Sequence, residues 1–225
     1  MFKLALNAGH GYNTAGKRCS KLIDKNETRE YVLNKRICDF LESKLKNYNG
    51  IEVLRIDNGD ETSIEQRAKK ANDFNADLYI SVHHNAGIKG GSGGGIVAYV
   101  YTKVDNTTKE WQKAFYDSLI AKTNLKGNRA TPLSSANFGE LRLTKMPAVL
   151  LECGFMDSVI DTPIILTEDF AKKCADGLLE TLVKKQGLTL KETPKAEDTN
   201  TQTQNKILEL LKKLYELLKG FFERK

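Results

Sequence analysis

The sequence predicts an α/β protein: a mainly parallel, twisted central sheet with helices on both faces, then a linker and a C-terminal amphipathic helix. Three observations carry this expectation. Short aliphatic and β-branched runs at residues 2–7, 51–56, 77–83, 95–101 and 148–152 alternate with longer stretches of helical apolar recurrence. Polar residues cluster where three of those runs end, which is where open parallel sheets gather their ligands. After Gly187 the composition changes: residues 191–204 are rich in Thr, Lys, Glu and Gln, contain Pro194 and carry hardly an apolar group.

The elements follow in order. Residues 2–7 form a first strand that enters a glycine-rich turn at Gly9-His10-Gly11. From about Glu27 to Asn47, Tyr31, Val32, Ile37, Phe40, Leu41 and Leu45 recur at helical spacing. Gly50 precedes a second strand at 51–56. Residues 63–75 read as a helix, with Ser63 as N-cap and Gln66 three residues on, the capping-box pattern. Residues 77–83 make a buried strand ending in polar groups, and 87–95 a Gly/Ser loop before a strand at 95–101. Amphipathic helices are expected at 107–124 and 168–185, with a short central strand at 148–152 between them. The resulting organisation is a domain at 1–187, a flexible linker at 188–204 and an amphipathic helix at 205–225.

Composition narrows the function class. The 225 residues are 28% charged and 40% hydrophobic, which suits a globular enzyme and argues against a fully disordered chain. A net charge of +6 is modest and is compatible with an acidic polymer such as teichoic-acid-bearing wall. No basic run interleaved with aromatics is present, so no nucleic-acid partner is expected. Cys19, Cys38, Cys153 and Cys174 are far apart, without a CxxC pair, and read as free thiols of a reducing compartment. The N-terminal apolar stretch is too short for a signal peptide, and no window approaches a membrane span. Synthesis in the cytoplasm is therefore expected, with any work outside depending on another route out.

All three histidines fall in the polar clusters Asn7-Ala8-Gly9-His10-Gly11 and Ser81-Val82-His83-His84-Asn85-Ala86; the third cluster is Leu151-Glu152-Cys153-Gly154-Phe155. A single histidine at a strand end is commonly a hydrogen-bonded structural residue. Three gathered at one rim change the balance, because two neutral imidazoles and a carboxylate leave a fourth zinc position open, as in catalytic sites. Adjacent His83 and His84 point to opposite faces of an extended strand, so only one of them can readily be a ligand. Cys153 has no spare histidine as base, which argues against a cysteine hydrolase. The 87–95 loop lacks the Lys-Ser/Thr and following helix of a phosphate-binding loop.

Four segments in order resemble the zinc-dependent N-acetylmuramoyl-L-alanine amidases of the Amidase_3 type. They are Gly9-His10-Gly11, Arg29-Glu30-Tyr31-Val32-Leu33-Asn34, Ser81-Val82-His83-His84-Asn85-Ala86, and Pro147-Ala148-Val149-Leu150-Leu151-Glu152-Cys153-Gly154-Phe155. Arg67-Ala68, Ala71-Asn72 and Arg129 ahead of Leu141-Arg142-Leu143-Thr144 add to the likeness, which spans about residues 2–185. The resemblance implies zinc (Zn2+) held by His10, Glu30 and His83, with Glu152 as general base. Glu30 fits the family's ligand position better than Glu27, because Asn34 and Ile37 follow it at the family's offsets. A first-turn acid complementing the helix dipole is the plainer reading of either residue. Asn85 and His84 are expected near the rim, Asn85 orienting the loop or a peptide stem and His84 touching substrate or solvent.

The reaction implied is hydrolysis of the peptidoglycan amide between the lactyl group of N-acetylmuramic acid and L-alanine. The combination resembles a phage endolysin, accumulated in the cytoplasm and released through holin lesions. A host or spore autolysin, a catalytically silent wall-binding module and a zinc peptidase acting within the stem are the alternatives.

For the tail the resemblance gives no guidance. Ile207, Leu210, Leu214, Leu217 and Phe221, with Leu211 and Leu218, form an a/d/e face wider than a two-stranded seam. Lys206, Lys212, Lys213, Lys219, Arg224 and Lys225 are interspersed with Glu209, Glu216 and Glu223. Self-association is expected, with membrane or anionic wall polymer, or docking on the domain, as alternatives.

Overall fold

In the computed structural model, which describes residues 1–192 and 206–214, the chain order is β1 (Phe2–Ala8), α1 (Glu30–Leu45), β2 (Tyr48–Asn49), β3 (Ile51–Arg55), α2 (Ile64–Asp73), β4 (Leu78–Asn85), β5 (Ile96–Val100), α3 (Asn106–Thr123), β6 (Leu133–Ser135), α4 (Gly139–Leu143), β7 (Ala148–Phe155), α5 (Asp161–Ile165), α6 (Glu168–Gln186) and β8 (Thr189–Leu190). Six strands make one sheet in the order β3-β1-β4-β7-β5-β6. β3, β1, β4 and β7 are parallel, β5 runs antiparallel to β7, and β6 is parallel to β5. The expected α/β architecture, mainly parallel with helices on both faces, is the one observed.

Side-chain alternation divides the interior. Leu4, Leu6, Leu78, Ile80, Val82, Val149 and Leu151 pack with residues of α1, α3 and α6. Ala5, Tyr79, Ala148 and Leu150 form a smaller core with Ala71 of α2 and Leu141 of α4. The chain leaves β1 for β3 on one side and returns to lay β4 on the other. The C-terminal ends of β1 and β4 therefore open side by side at a topological switch point.

Several elements follow their sequence signals closely. Ser63 caps α2 in a complete capping box, with the Gln66 amide donating to Ser63 Oγ and the Ser63 amide donating to Gln66 Oε1, both at 3.2 Å. The first helix starts at Glu30 rather than near Glu27. Glu27 adopts φ 48, the Thr28 amide donates to Asp24 Oδ2 at 2.7 Å, and Arg29 is the extended N-cap. β4 and β7 run on to Asn85 and Phe155, past the expected ends. β2, β6, β8, α4 and α5 were not expected; each has five residues or fewer, too short for periodicity to register.

The first unit, Met1–Leu190, extends beyond the expected boundary at 187, because Thr189 and Leu190 pair antiparallel with Asn49 and Tyr48. The second unit is Lys191–Lys225, in which 206–214 are helical. Residues 193–205 and 215–225, which hold most of the expected linker and the end of the expected tail helix, lie outside the described residues. All four cysteines are buried free thiols. Among the described residues no helix is long and apolar enough to cross a membrane.

Ile80 lies on the central strand β4 with no exposed surface. Ile80→Ala is expected to cost about 2–5 kcal/mol of stability, read as a lowered denaturant midpoint at unchanged m-value. A loss below about 1 kcal/mol would show that β4 is not the packed centre of the sheet.

Candidate metal centre and catalytic cleft

The site forms where β1, β4 and β7 end. His10 follows β1 on a turn with φ 65, a left-handed conformation unusual for a non-glycine residue. Arg67 of α2 holds that turn, donating from Nη2 to the His10 carbonyl at 2.6 Å and from Nη1 to the Ala8 carbonyl at 2.9 Å. Gly9 is required by close approach, since a Cβ there would lie 2.0 Å from the His83 ring. Glu30 opens α1, whose start turns the carboxylate inward under the ends of β1 and β4.

These positions converge. Glu30 Oε1 lies 3.1 Å from His83 Nδ1 and 3.3 Å from His10 Nε2. The His10 and His83 rings meet edge to face, with centroids 4.9 Å apart. One ligand atom from each of His10, Glu30 and His83 lies within 4.8 Å of the other two. Two imidazoles and a carboxylate suit a divalent transition metal with an open position. Glu30 Oε2 supplies a second reason to place a cation here. It is buried without a hydrogen-bond partner, and Lys17 Nζ stands 4.0 Å away. These residues fit a metal ion.

Electrostatics sharpen the picture. Burial acts to raise the Glu30 pKa, but hydrogen bonds and charge from His10 and His83 outweigh it and hold the carboxyl well below the usual range. For His83, burial opposes protonation, yet Glu30, aided by Glu140 and Glu152, raises its pKa to about 9. Glu152 is the registered neighbour of His83 on the parallel pair β4–β7, so their side chains share a face. Burial pushes Glu152 up to about 7, with His83 pulling the other way, and its Oε2 is buried with no hydrogen-bond partner.

His10, His83 and Glu152 line a cavity of about 410 Å³. Lys17, Thr14 and Glu61 bring polar groups to its wall, while Ile64, Phe138 and Leu150 bring apolar surface. Arg67 and Glu140 line it as well.

The remaining expected site residues sit elsewhere. His84 departs from the expected rim position: it is 2% exposed, on the opposite face of β4, with Nδ1 2.7 Å from Asn34 Oδ1 of α1. Burial lowers its pKa to about 3, and its backbone amide donates to Glu30 Oε1 at 3.2 Å. His84 thus supports Glu30 from behind. Asn85 accepts a hydrogen bond from the Ala86 amide at 2.8 Å and, like His84, is absent from the cavity wall. Glu27 pairs with Arg18 at 3.7 Å and Lys21 at 4.0 Å, outside the convergent set. Sequence reasoning did not single out Glu140, a buried acid on the five-residue α4. An acid in so short an unpredicted element carries no pattern that marks it.

Metal-free protein is expected to lose stability as pH rises above about 6.5. Both folded pKa values exceed the ordinary ones, so the stabilisation is full below the ordinary values and disappears through the folded values. The windows are about 4.5 to 7 for Glu152 and 6.5 to 9 for His83; below about 6.5 the lowered pKa of His84 acts in the opposite sense and offsets Glu152, so the net loss belongs to the His83 window. A bound divalent cation replaces the His83 proton, so the apparent affinity for zinc is expected to rise with pH up to about 9. Thermal unfolding with and without zinc across this range measures both effects; pH-independent stability of the metal-free protein would contradict the pairing.

Comparison with known proteins identifies the family. The family profile described as N-acetylmuramoyl-L-alanine amidase, Amidase_3, matches residues 4–184. N-acetylmuramoyl-L-alanine amidase CwlM of Bacillus licheniformis is 30% identical over 178 residues, covering 79% of this chain and 66% of that protein. The endolysin of Bacillus phage SPP1 is 30% identical over 206 residues, covering 90% of this chain and 74% of its own. The crystal structure of an N-acetylmuramoyl-L-alanine amidase from Clostridium difficile 630 superposes with a TM-score of 0.74 at 26% identity, covering 81% of this chain and 95% of that one. The chain belongs to the Amidase_3 family of N-acetylmuramoyl-L-alanine amidases.

Proposed function

We propose that this protein is a zinc-dependent hydrolase that cuts the peptidoglycan amide between the lactyl group of N-acetylmuramic acid and L-alanine. The observation that carries this reading is the half-buried Glu152 carboxylate beside the His10–Glu30–His83 convergence, in one cavity with His10 and His83. His10, Glu30 and His83 hold the ion. Zinc, when bound, supplies Lewis acidity and makes water nucleophilic near neutral pH.

Glu152 does the proton work. Burial raises its pKa, which favours taking a proton from the attacking water, while the charge of a bound cation would act the other way and favour returning it. The water oxygen bonds to the lactyl carbonyl carbon, the C–N bond breaks, and Glu152 passes the proton to the departing alanine amine. The products are a free lactyl carboxylate and a peptide with a free amino terminus. Arg67 keeps the His10 turn in place, and Ile64, Phe138 and Leu150 give the cleft an apolar side.

The likeness to a phage endolysin over 90% of this chain supports a lytic role on the host wall, with release from the cytoplasm through a breached membrane. Digestion of purified wall tests the reaction. New L-alanine amino termini and free lactyl carboxyls on muramic acid are expected. New termini within the stem would instead identify a zinc peptidase, and wall binding without cleavage a silent module. Glu152→Gln is expected to retain zinc and to lower turnover by ~10²-fold or more. Near-normal turnover would assign the proton transfer to another acid, and loss of zinc would make Glu152 a ligand.

We also infer that the tail joins copies of the chain. Within 206–214, Ile207, Leu208, Leu210, Leu211 and Leu214 are each more than half exposed on a helix. Acids and lysines alternate along the tail sequence, as suits ion pairs between neighbouring helices and not a purely cationic lytic helix. Assembly would multiply wall contacts through avidity. Light scattering of the full chain is expected to show an oligomer, and Leu210→Lys with Leu214→Lys a monomer. A monomeric parent would reject assembly and leave membrane or wall polymer, tested with anionic vesicles and purified wall.

A further inference from the structure

Behind His83 runs a buried chain of polar groups to which, beyond Arg67's hold on the His10 turn, the proposed reaction gives no role. It starts at Arg67, 2% exposed, whose guanidinium has donors only. Arg67 Nη1 donates to Asn7 Oδ1 at 2.6 Å, and this fixes the orientation of the Asn7 carboxamide. Asn7 Nδ2 then faces inward, donating to Ser81 Oγ at 2.9 Å and Glu140 Oε2 at 3.2 Å. Ser81 donates its single hydroxyl proton to Glu140 Oε2 at 2.7 Å, and the Tyr79 hydroxyl donates to the same oxygen at 3.0 Å. Ser81 Oγ has now given its proton and received one donor. One acceptor site is left, and His83 Nε2 lies 3.1 Å away.

We propose that Ser81 and Glu140 are positioning residues that fix the tautomer of His83, holding a proton on Nε2 and leaving Nδ1 to bind the metal. Each step is forced by an inventory of donors and acceptors, beginning at a side chain that cannot lose its proton. A serine hydroxyl committed to a carboxylate cannot also donate to an imidazole, so Nε2 must be the donor. Nδ1 is the nitrogen that faces Glu30 Oε1, at 3.1 Å, on the side where His10 also approaches. Metal-bound histidines ordinarily have their second nitrogen held by an acceptor that sets the ring. Here that acceptor is a serine polarised by a buried glutamate, whose other oxygen lies 4.0 Å from Nε2.

This inference rests on the metal reading of the site. Long-range proton–nitrogen NMR of the zinc-loaded full chain, labelled with nitrogen-15 at histidine, tests it directly. A protonated Nε2 and a metal-shifted Nδ1 are expected for His83. A protonated Nδ1 with metal-shifted Nε2 would overturn the tautomer assignment while leaving the metal site standing. No metal shift at either nitrogen would overturn both. Chelator competition gives the second readout: Ser81→Ala is expected to bind zinc about 10–100-fold more weakly, and Ser81→Thr, which keeps the hydroxyl, to recover most of that loss. Unchanged affinity in a folded Ser81→Ala would overturn the positioning role.

Discussion

A carboxylate that is 1% exposed, as Glu30 is, needs positive charge close by, and most of the site's architecture follows from supplying it. The histidines meet Glu30 from the ends of two neighbouring strands, so the order of those strands decides whether the pairing exists. β1 and β4 are adjacent because the chain visits β3 on the far side before returning. The start of α1 then sets Glu30 beneath both strand ends. With the second oxygen of Glu30 lacking a hydrogen-bond partner, the protonated histidine arrangement is a partial answer, and a divalent ion is the fuller one.

Around this centre the two faces of the sheet do different work. On the α2–α4 side, Asn7, Ser81, His83 and Glu152 follow the two-residue period of their strands and carry the polar chemistry. On the other side the same strands bury Leu6, Ile80, Val82 and Leu151. His84 belongs to that second side, where desolvation keeps it neutral and Asn34 engages its Nδ1. Adjacent histidines thus have opposite fates, one raised in pKa by carboxylates and one lowered by burial. Strand alternation produces the difference.

Much of this was legible in the sequence. Strand ends announced themselves as polar groups after apolar runs, and Ser63 with Gln66 marked the α2 start. His10, His83 and Glu152 stood out because they lie in polar clusters at those ends, whereas Glu30, at a helix start, was marked only by the family resemblance. What stayed hidden lay in long-range contact. Nothing near Glu140 in the chain shows that it is buried against Tyr79 and Ser81, which precede it by 61 and 59 residues. The rim position expected for His84 failed for a related reason: alternation gives its face, but only the packing of α1 shows that this face is closed.

The proposed hydrolysis depends on one ion held by His10, Glu30 and His83. Anomalous diffraction at the zinc absorption edge, from crystals of the full chain grown with zinc, measures this directly. A single strong peak is predicted within bonding distance of His10, of Glu30 and of His83 Nδ1, on the cavity side of Glu30. Full occupancy at other residues, with no peak among these three, would contradict it.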